Sequence, residues 1–194
     1  MSGIVLNTAG LTHKGQVRSV NEDDFIIDNE ISLFAVADGL GGHGSGNVAS
    51  SLTVETLQIE VQKELQAITE NQHEEGNQLS QILKNAINAA NTVIYNRNKQ
   101  KGFGDGKGMG ATLVGVCFFG NNERFISFNI GDSRLYQLAN GTLSQTTKDH
   151  SLLQEWLDMG QIGAAPPANL LKRAVGLFPD INADVALHET KSME

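Results

Sequence analysis

A single cysteine, Cys117, among 194 residues excludes an internal disulfide and points to a reducing compartment. No stretch approaches the roughly 20 apolar residues that span a bilayer. The N-terminus also lacks the order of charged, apolar and small residues that marks a secretory signal. The expected location is therefore the cytoplasm, with no membrane partner. No lysine- and arginine-rich run stands out, and a net charge of −8 would repel a phosphate backbone, so nucleic acid is not an expected partner either. Internal repeats and low-complexity linkers are lacking too. What remains is an ordinary globular composition, 40% hydrophobic and 19% charged. Its length suits one domain, 1–194, with a real core and an expected monomeric state.

Residues 24–28 and 33–37 read as two short strands about the turn Asp28-Asn29-Glu30, whose carboxylates are expected in solvent. From about 47 to 68, Val54, Leu57, Val61, Leu65 and Ile68 recur every three or four positions, which predicts a helix. Polar Glu70–Gln78 reads as a loop. A second helix then carries Leu79, Ile82, Leu83, Ala86, Ile87, Ala90, Val93 and Ile94 on one face, ending at glycine-rich Gly102–Gly110. The period changes after that. Thr112–Phe119 is almost unbroken apolar sequence, turned by Gly120-Asn121-Asn122 into Arg124–Ile130. Gly131-Asp132 leads into Arg134–Leu138 and Asn140-Gly141 into Thr142–Thr146, which together read as an antiparallel meander. Leu152, Leu153, Trp156 and Leu157 mark one short helix, and residues 160–178, with Pro166-Pro167, read as irregular. Strands, two helices, then strands predict an α+β fold in which antiparallel sheet packs on a helical pair.

The chemistry-bearing residues gather at three acidic turns. Asp38-Gly39-Leu40-Gly41-Gly42-His43-Gly44 follows the apolar run Leu33–Ala37. Its glycines allow close backbone approach, and Asp38 is a hard oxygen ligand of the kind Mg²⁺ or Mn²⁺ prefers. The stretch also matches G-x-G-x-x-G, but a dinucleotide site needs a parallel βαβ unit, whereas two helices and antiparallel strands follow here. In the second turn, Asn21-Glu22-Asp23-Asp24, Glu22 lies four residues beyond Arg18, whose guanidinium suits phosphate oxygens. In the third, Asn129-Ile130-Gly131-Asp132-Ser133-Arg134, Asp132 is either a metal ligand or a cap of its own turn. His43, on a glycine loop, can donate a proton to a leaving oxygen near neutral pH. Cys117 sits in the apolar run Val114–Phe119 and reads as a core thiol. Carboxylates at three strand ends, with arginine and histidine beside them, suggest metal-assisted chemistry on an anionic substrate.

Six blocks occur in order: Arg18–Asp23, Val36–His43, Gly108–Thr112, Asn129–Arg134, Lys148-Asp149-His150-Ser151 and Asn169–Gly176. The series closely resembles the bacterial branch of the metal-dependent type 2C (PPM) serine/threonine protein phosphatases. The resemblance implies an antiparallel β-sandwich flanked by helices, with Mn²⁺ or Mg²⁺ in a cleft at one end. It implies hydrolysis of phosphoserine and phosphothreonine by a water held between two such ions, with no covalent enzyme intermediate. Carried over by position, Asp38 would bridge the metals, the Gly39 carbonyl would ligate one, and Glu22 would act mainly through water. Arg18 would hold the phosphate, His43 would be the general acid, and Asp132 would help hold a third metal. Residues 152–178 match the flap that influences substrate choice in this family. The implied partner is a phosphorylated protein, in opposition to a serine/threonine kinase.

The family pattern continues with a strand ending in Ser-Asp-Gly and a last strand ending in Asp-Asn, whose aspartates ligate one of the paired metals. Neither motif precedes Lys191-Ser192-Met193-Glu194, and neither Asp180 nor Asp184 has a matching context. The expectation is a sandwich incomplete at the C-terminus, with open edges and metal bound at one of the two main sites. Three accounts stay open: a fragment of an ordinary phosphatase, a short non-catalytic module that binds phosphoproteins or a partner, or ligands supplied by another chain.

Overall fold

The computed structural model describes residues 4–42, 45–66 and 75–190. The first two strands, β1 (Asp23–Asp28) and β2 (Leu33–Leu40), form an antiparallel hairpin. The pleat of β2 sends Leu33, Ala35 and Ala37 to one face, where all three are buried. Phe34 and Val36 point to the other face, where Val36 is 47% exposed. Helices α1 (Gly46–Gln66) and α2 (Glu75–Gln100) explain the difference. Val54, Leu57 and Val61 of the first, with Leu83, Ile87 and Ile94 of the second, join the inward residues of the sheet in one core. Burying each of these larger side chains contributes roughly 1.5–3 kcal/mol.

After α2 come β3 (Gly110–Ala111), β4 (Leu113–Phe119), β5 (Arg124–Ile130), β6 (Tyr136–Ala139), β7 (Thr142–Gln145), α3 (Leu152–Asp158) and β8 (Asp184–Glu189). The main sheet is antiparallel in the order β1-β2-β4-β5-β8, with β3 against the end of β2. The α+β class and the helix-covered antiparallel sheet are those expected. Among the described residues the only other sheet is the β6–β7 pair.

The sequence reading needs correction in five places. The meander stops at β5: the chain leaves the sheet through Gly131 (φ +101°), and β6 pairs with β7 alone. The free edge of β5 takes β8 instead, a strand not expected from the sequence. The second helix begins at Glu75, inside the expected loop; Glu75 suits a helix N-terminus and pairs with Arg124 at 3.2 Å. Val93, expected on its apolar face, is exposed. Asp28, expected in solvent, is 7% exposed. It accepts hydrogen bonds from Gln58 and Gln62 of α1 (2.7 and 2.8 Å) and from the backbone N–H groups of Glu30 and Ile31 (3.0 and 3.2 Å). Burial pushes the carboxyl up, but these four bonds together hold it below its ordinary range.

Residues 160–178 are irregular, as read, yet they are fixed. Buried Asn91 and Asn98 on α2 bond the backbone of Met109, Gly176, Phe178 and Pro179. Bridges join Ala111 to Val175 and Ser151 to Leu171.

Candidate active site

The β1–β2 register sets Asp23 directly opposite Asp38 at one end of the hairpin. Around Asp38 the backbone is locked: its N–H donates to Thr112 Oγ1 (3.0 Å) and its carbonyl accepts from Thr112 N (2.8 Å). Its side chain keeps contact with solvent, although the carboxyl is partly buried. The next residue has no room for a side chain, since a Cβ on Gly39 would run into the Gly46 carbonyl at the start of α1. Glu22 fastens this corner. Its Oε1 accepts from Gly46 N (3.2 Å), satisfying a free donor of the helix N-terminus, and its Oε2 accepts from Arg18 Nη1 (3.0 Å).

Asp132 arrives from the other side, one residue after Gly131. A Cβ on Gly131 would strike Thr112, which requires the glycine independently of its positive φ. Thr112 Oγ1 lies 2.7 Å from Ser133 Oγ, so one buried threonine joins the Asp38 backbone to the Asp132 turn. Arg18, Glu22, Asp38, Gly39 and Asp132 line one cavity of about 330 Å³, together with Asn169 and Leu171. Five of the six candidate residues are thus together; His43 lies outside the described residues.

Electrostatics mark Asp38. Burial of the carboxyl, then the charge and hydrogen bond of Asp23, then the charge of Asp132 push it up from 3.8 to about 6, against the opposing pull of Arg18. The available donors are all oxygens, and their charges repel one another, which suits a hard divalent cation. Among the described residues no three histidine, cysteine or acidic side chains converge as a closed metal cage. Glu22 in particular is turned toward Arg18 and Gly46.

Sequence reasoning missed Asp23 as a partner of Asp38, although their opposition follows once the hairpin is paired. It also missed Thr112, whose role only the register reveals. A larger hollow of about 780 Å³ lies over the open sheet face, bordered by Phe34, Val36 and Val116. Its charged lining is limited to Asp23, Asp24 and Arg134, so the smaller, carboxylate-rich cavity is the better candidate.

Residues 10–155 match the family model described as protein phosphatase 2C. The chain belongs to the protein phosphatase 2C family. It is 34% identical over 183 residues to the serine/threonine phosphatase stp of Listeria welshimeri, covering 89% of this chain and 68% of that protein. It is 34% identical over 177 residues to the serine/threonine protein phosphatase PstP of Mycobacterium tuberculosis, covering 89% of this chain but 31% of that one. A PstP catalytic domain solved with two manganese ions superposes with a TM-score of 0.70 at 30% identity, over 93% of this chain and 71% of that domain. This type 2C phosphatase chain is therefore shorter than these relatives. None of its described helices is long and apolar enough to cross a membrane.

Proposed function

We propose that the chain carries the phosphate- and metal-binding part of a protein serine/threonine phosphatase that hydrolyses phosphoserine and phosphothreonine. The observation that carries this reading is the meeting of Arg18, Asp38 and Asp132 in one cavity, with Asp38 pushed up to about 6 by burial and then by Asp23 and Asp132. Asp38 and the Gly39 carbonyl would hold Mn²⁺ or Mg²⁺, and Asp132 would serve a further, weaker position. When bound, the cation supplies Lewis acidity and makes an attacking water more acidic. Arg18 holds the phosphate oxygens, and Glu22 orients that guanidinium from 3.0 Å. On the family resemblance, His43 gives a proton to the departing serine or threonine oxygen. Removing such phosphates opposes a serine/threonine kinase.

Residues 1–194 act as one monomeric domain in this reading, with 152–178 as a flap beside the cavity. The cytoplasm is the compartment this reading takes, on the single cysteine of the chain; Cys117 itself is buried, and its thiol is pushed up to about 12 by burial and then by Asp28. The second reading, a module that binds phosphoproteins without turnover, is favoured by the lack of a closed cage among the described residues.

Calorimetric titration of residues 1–194 with Mn²⁺, with p-nitrophenyl phosphate hydrolysis followed on the same sample, separates the two. The expected result is binding at one main site and turnover reduced by orders of magnitude. Two tight sites with ordinary turnover would mean that the second ligand set is supplied from elsewhere in the chain. Binding without any turnover would favour the non-catalytic module.

A further inference from the structure

We propose that His150, with Asp184 and Arg173, is a positioning clamp that holds the flap wall of the cavity, residues 169–173, against the Asp132 turn. His150 is 7% exposed at the seam between these two segments. Its backbone N–H donates to the Gly131 carbonyl (2.8 Å), and its own carbonyl accepts from Lys172 N (2.8 Å). One residue is thus bonded to the turn on one side and to the flap on the other. Next to it, Ser151 bridges Leu171 and Leu152 N donates to the Leu170 carbonyl (2.9 Å). Asn169 and Leu171 reach the cavity itself.

The ring completes the clamp and can do so in one tautomer. Nδ1 accepts from Gly131 N at 3.2 Å, so in the neutral ring the proton sits on Nε2. There it can be donated to Asp184 Oδ2 at 3.1 Å. Arg173 Nη1 lies 3.2 Å from Nε2, but its two hydrogens go to Asp184 Oδ1 (2.9 Å) and the Asn182 carbonyl (3.3 Å). The Asp184 carboxylate therefore receives the histidine from the turn side and the arginine from the flap side. Partial burial pushes that carboxyl up, but the hydrogen bonds from His150 and Arg173 and the arginine charge pull it below the ordinary range, so it stays ionised. The effect on the site rests on reading the cavity as the phosphate and metal site; the clamp itself rests on these contacts alone.

The test is amide hydrogen exchange and ring-nitrogen NMR on the full ¹⁵N-labelled chain without metal. The expected ring carries its proton on Nε2 and leaves Nδ1 bare. Asp184→Ala should speed exchange at Lys172 and Gly131 together by about tenfold or more, as loss of charge-assisted hydrogen bonds implies. The β1–β2 amides should not change, and Asp184→Asn, which keeps one acceptor, should give a smaller rise. Should His150→Phe fail to fold, Asp184→Ala at an exposed strand end still decides the matter. A proton on Nδ1, acceleration confined to residues 184–186, or acceleration shared by β1–β2 would overturn the clamp. Where Mn²⁺-dependent turnover of a phosphothreonine peptide is measurable, Asp184→Ala raises KM more than it lowers kcat. A chain that binds no Mn²⁺ removes the metal reading and leaves the exchange result to decide the clamp.

Discussion

The two ends of the β1–β2 hairpin carry aspartates that the same sheet treats in opposite ways. At one end Asp28 is buried and receives four hydrogen bonds, two of them from α1. At the other end Asp38 is exposed, faces Asp23 across the strands and has Asp132 nearby. The first carboxyl lies below its ordinary range and the second is raised to about 6. Burial is the largest single cause at both and raises both. Donors decide it: they surround Asp28, whereas Asp38 meets other acids and opposes them with Arg18 alone. A carboxylate supplied with donors holds the fold together, and one set among carboxylates is left to repel its neighbours.

The largest expected effect separates the two ends by metal affinity. Asp38→Asn should weaken Mn²⁺ binding by more than about 100-fold, beyond the 10- to 100-fold typical of a residue one shell removed from a metal. Asp28→Asn should leave it within about twofold, both read by calorimetry. Equal losses from the two variants would mean that Asp38 contributes through the fold and not as a ligand.

Stability should divide them the other way. Asp28→Ala strands the amides of Gln58, Gln62, Glu30 and Ile31 around a gap, at a cost of about 2–3 kcal/mol. Asp38→Ala in the metal-free protein removes repulsion with Asp23 and Asp132 and should leave the urea midpoint unchanged or higher. A midpoint lowered as far by Asp38→Ala as by Asp28→Ala would remove the distinction drawn here.

The contrast also shows what the sequence could say. The acidic turns, the helix periods and the strand runs are local patterns, and β1, β2, α1, α3 and the ordered motif blocks were legible from them. Asp28 was misread because its partners lie 30 and 34 residues away on α1, and turn composition alone favours solvent. β8 was missed because Asp184–Glu189 is short and bears charge at both ends; what makes it a strand is the free edge of β5. Likewise the meander failed at β6, where Tyr136–Ala139 lacks the buried side chains that would hold it on the main sheet. In the cavity, Arg18, Glu22, Asp38, Gly39 and Asp132 could be named from motifs. The Thr112 link between two of them spans 74 residues on one side and 21 on the other, a relation only tertiary structure provides.

The smallest expected effect is the dependence of metal-free stability on pH, where the two aspartates should pull in opposite directions. Asp28 has a lowered carboxyl, so its contribution is present above the ordinary value of 3.8 and is lost as pH falls through its folded value. Asp38 has a raised carboxyl, so the folded state holds that proton more tightly than the unfolded chain does. Its contribution is complete below 3.8 and is lost as pH rises through about 6. Metal-free stability should therefore decline gently from about pH 4 to 6 on account of Asp38, and drop below about pH 4 on account of Asp28. Exposure of Asp38 to solvent keeps the first slope shallow. Urea midpoints across this range should show the upper slope vanish in Asp38→Asn while the acid drop persists, and the reverse in Asp28→Asn. Saturating Mn²⁺ should invert the upper slope, because the cation binds the ionised carboxylate and competes with its proton. An upper slope that survives Asp38→Asn would mean that Asp38 is not its source.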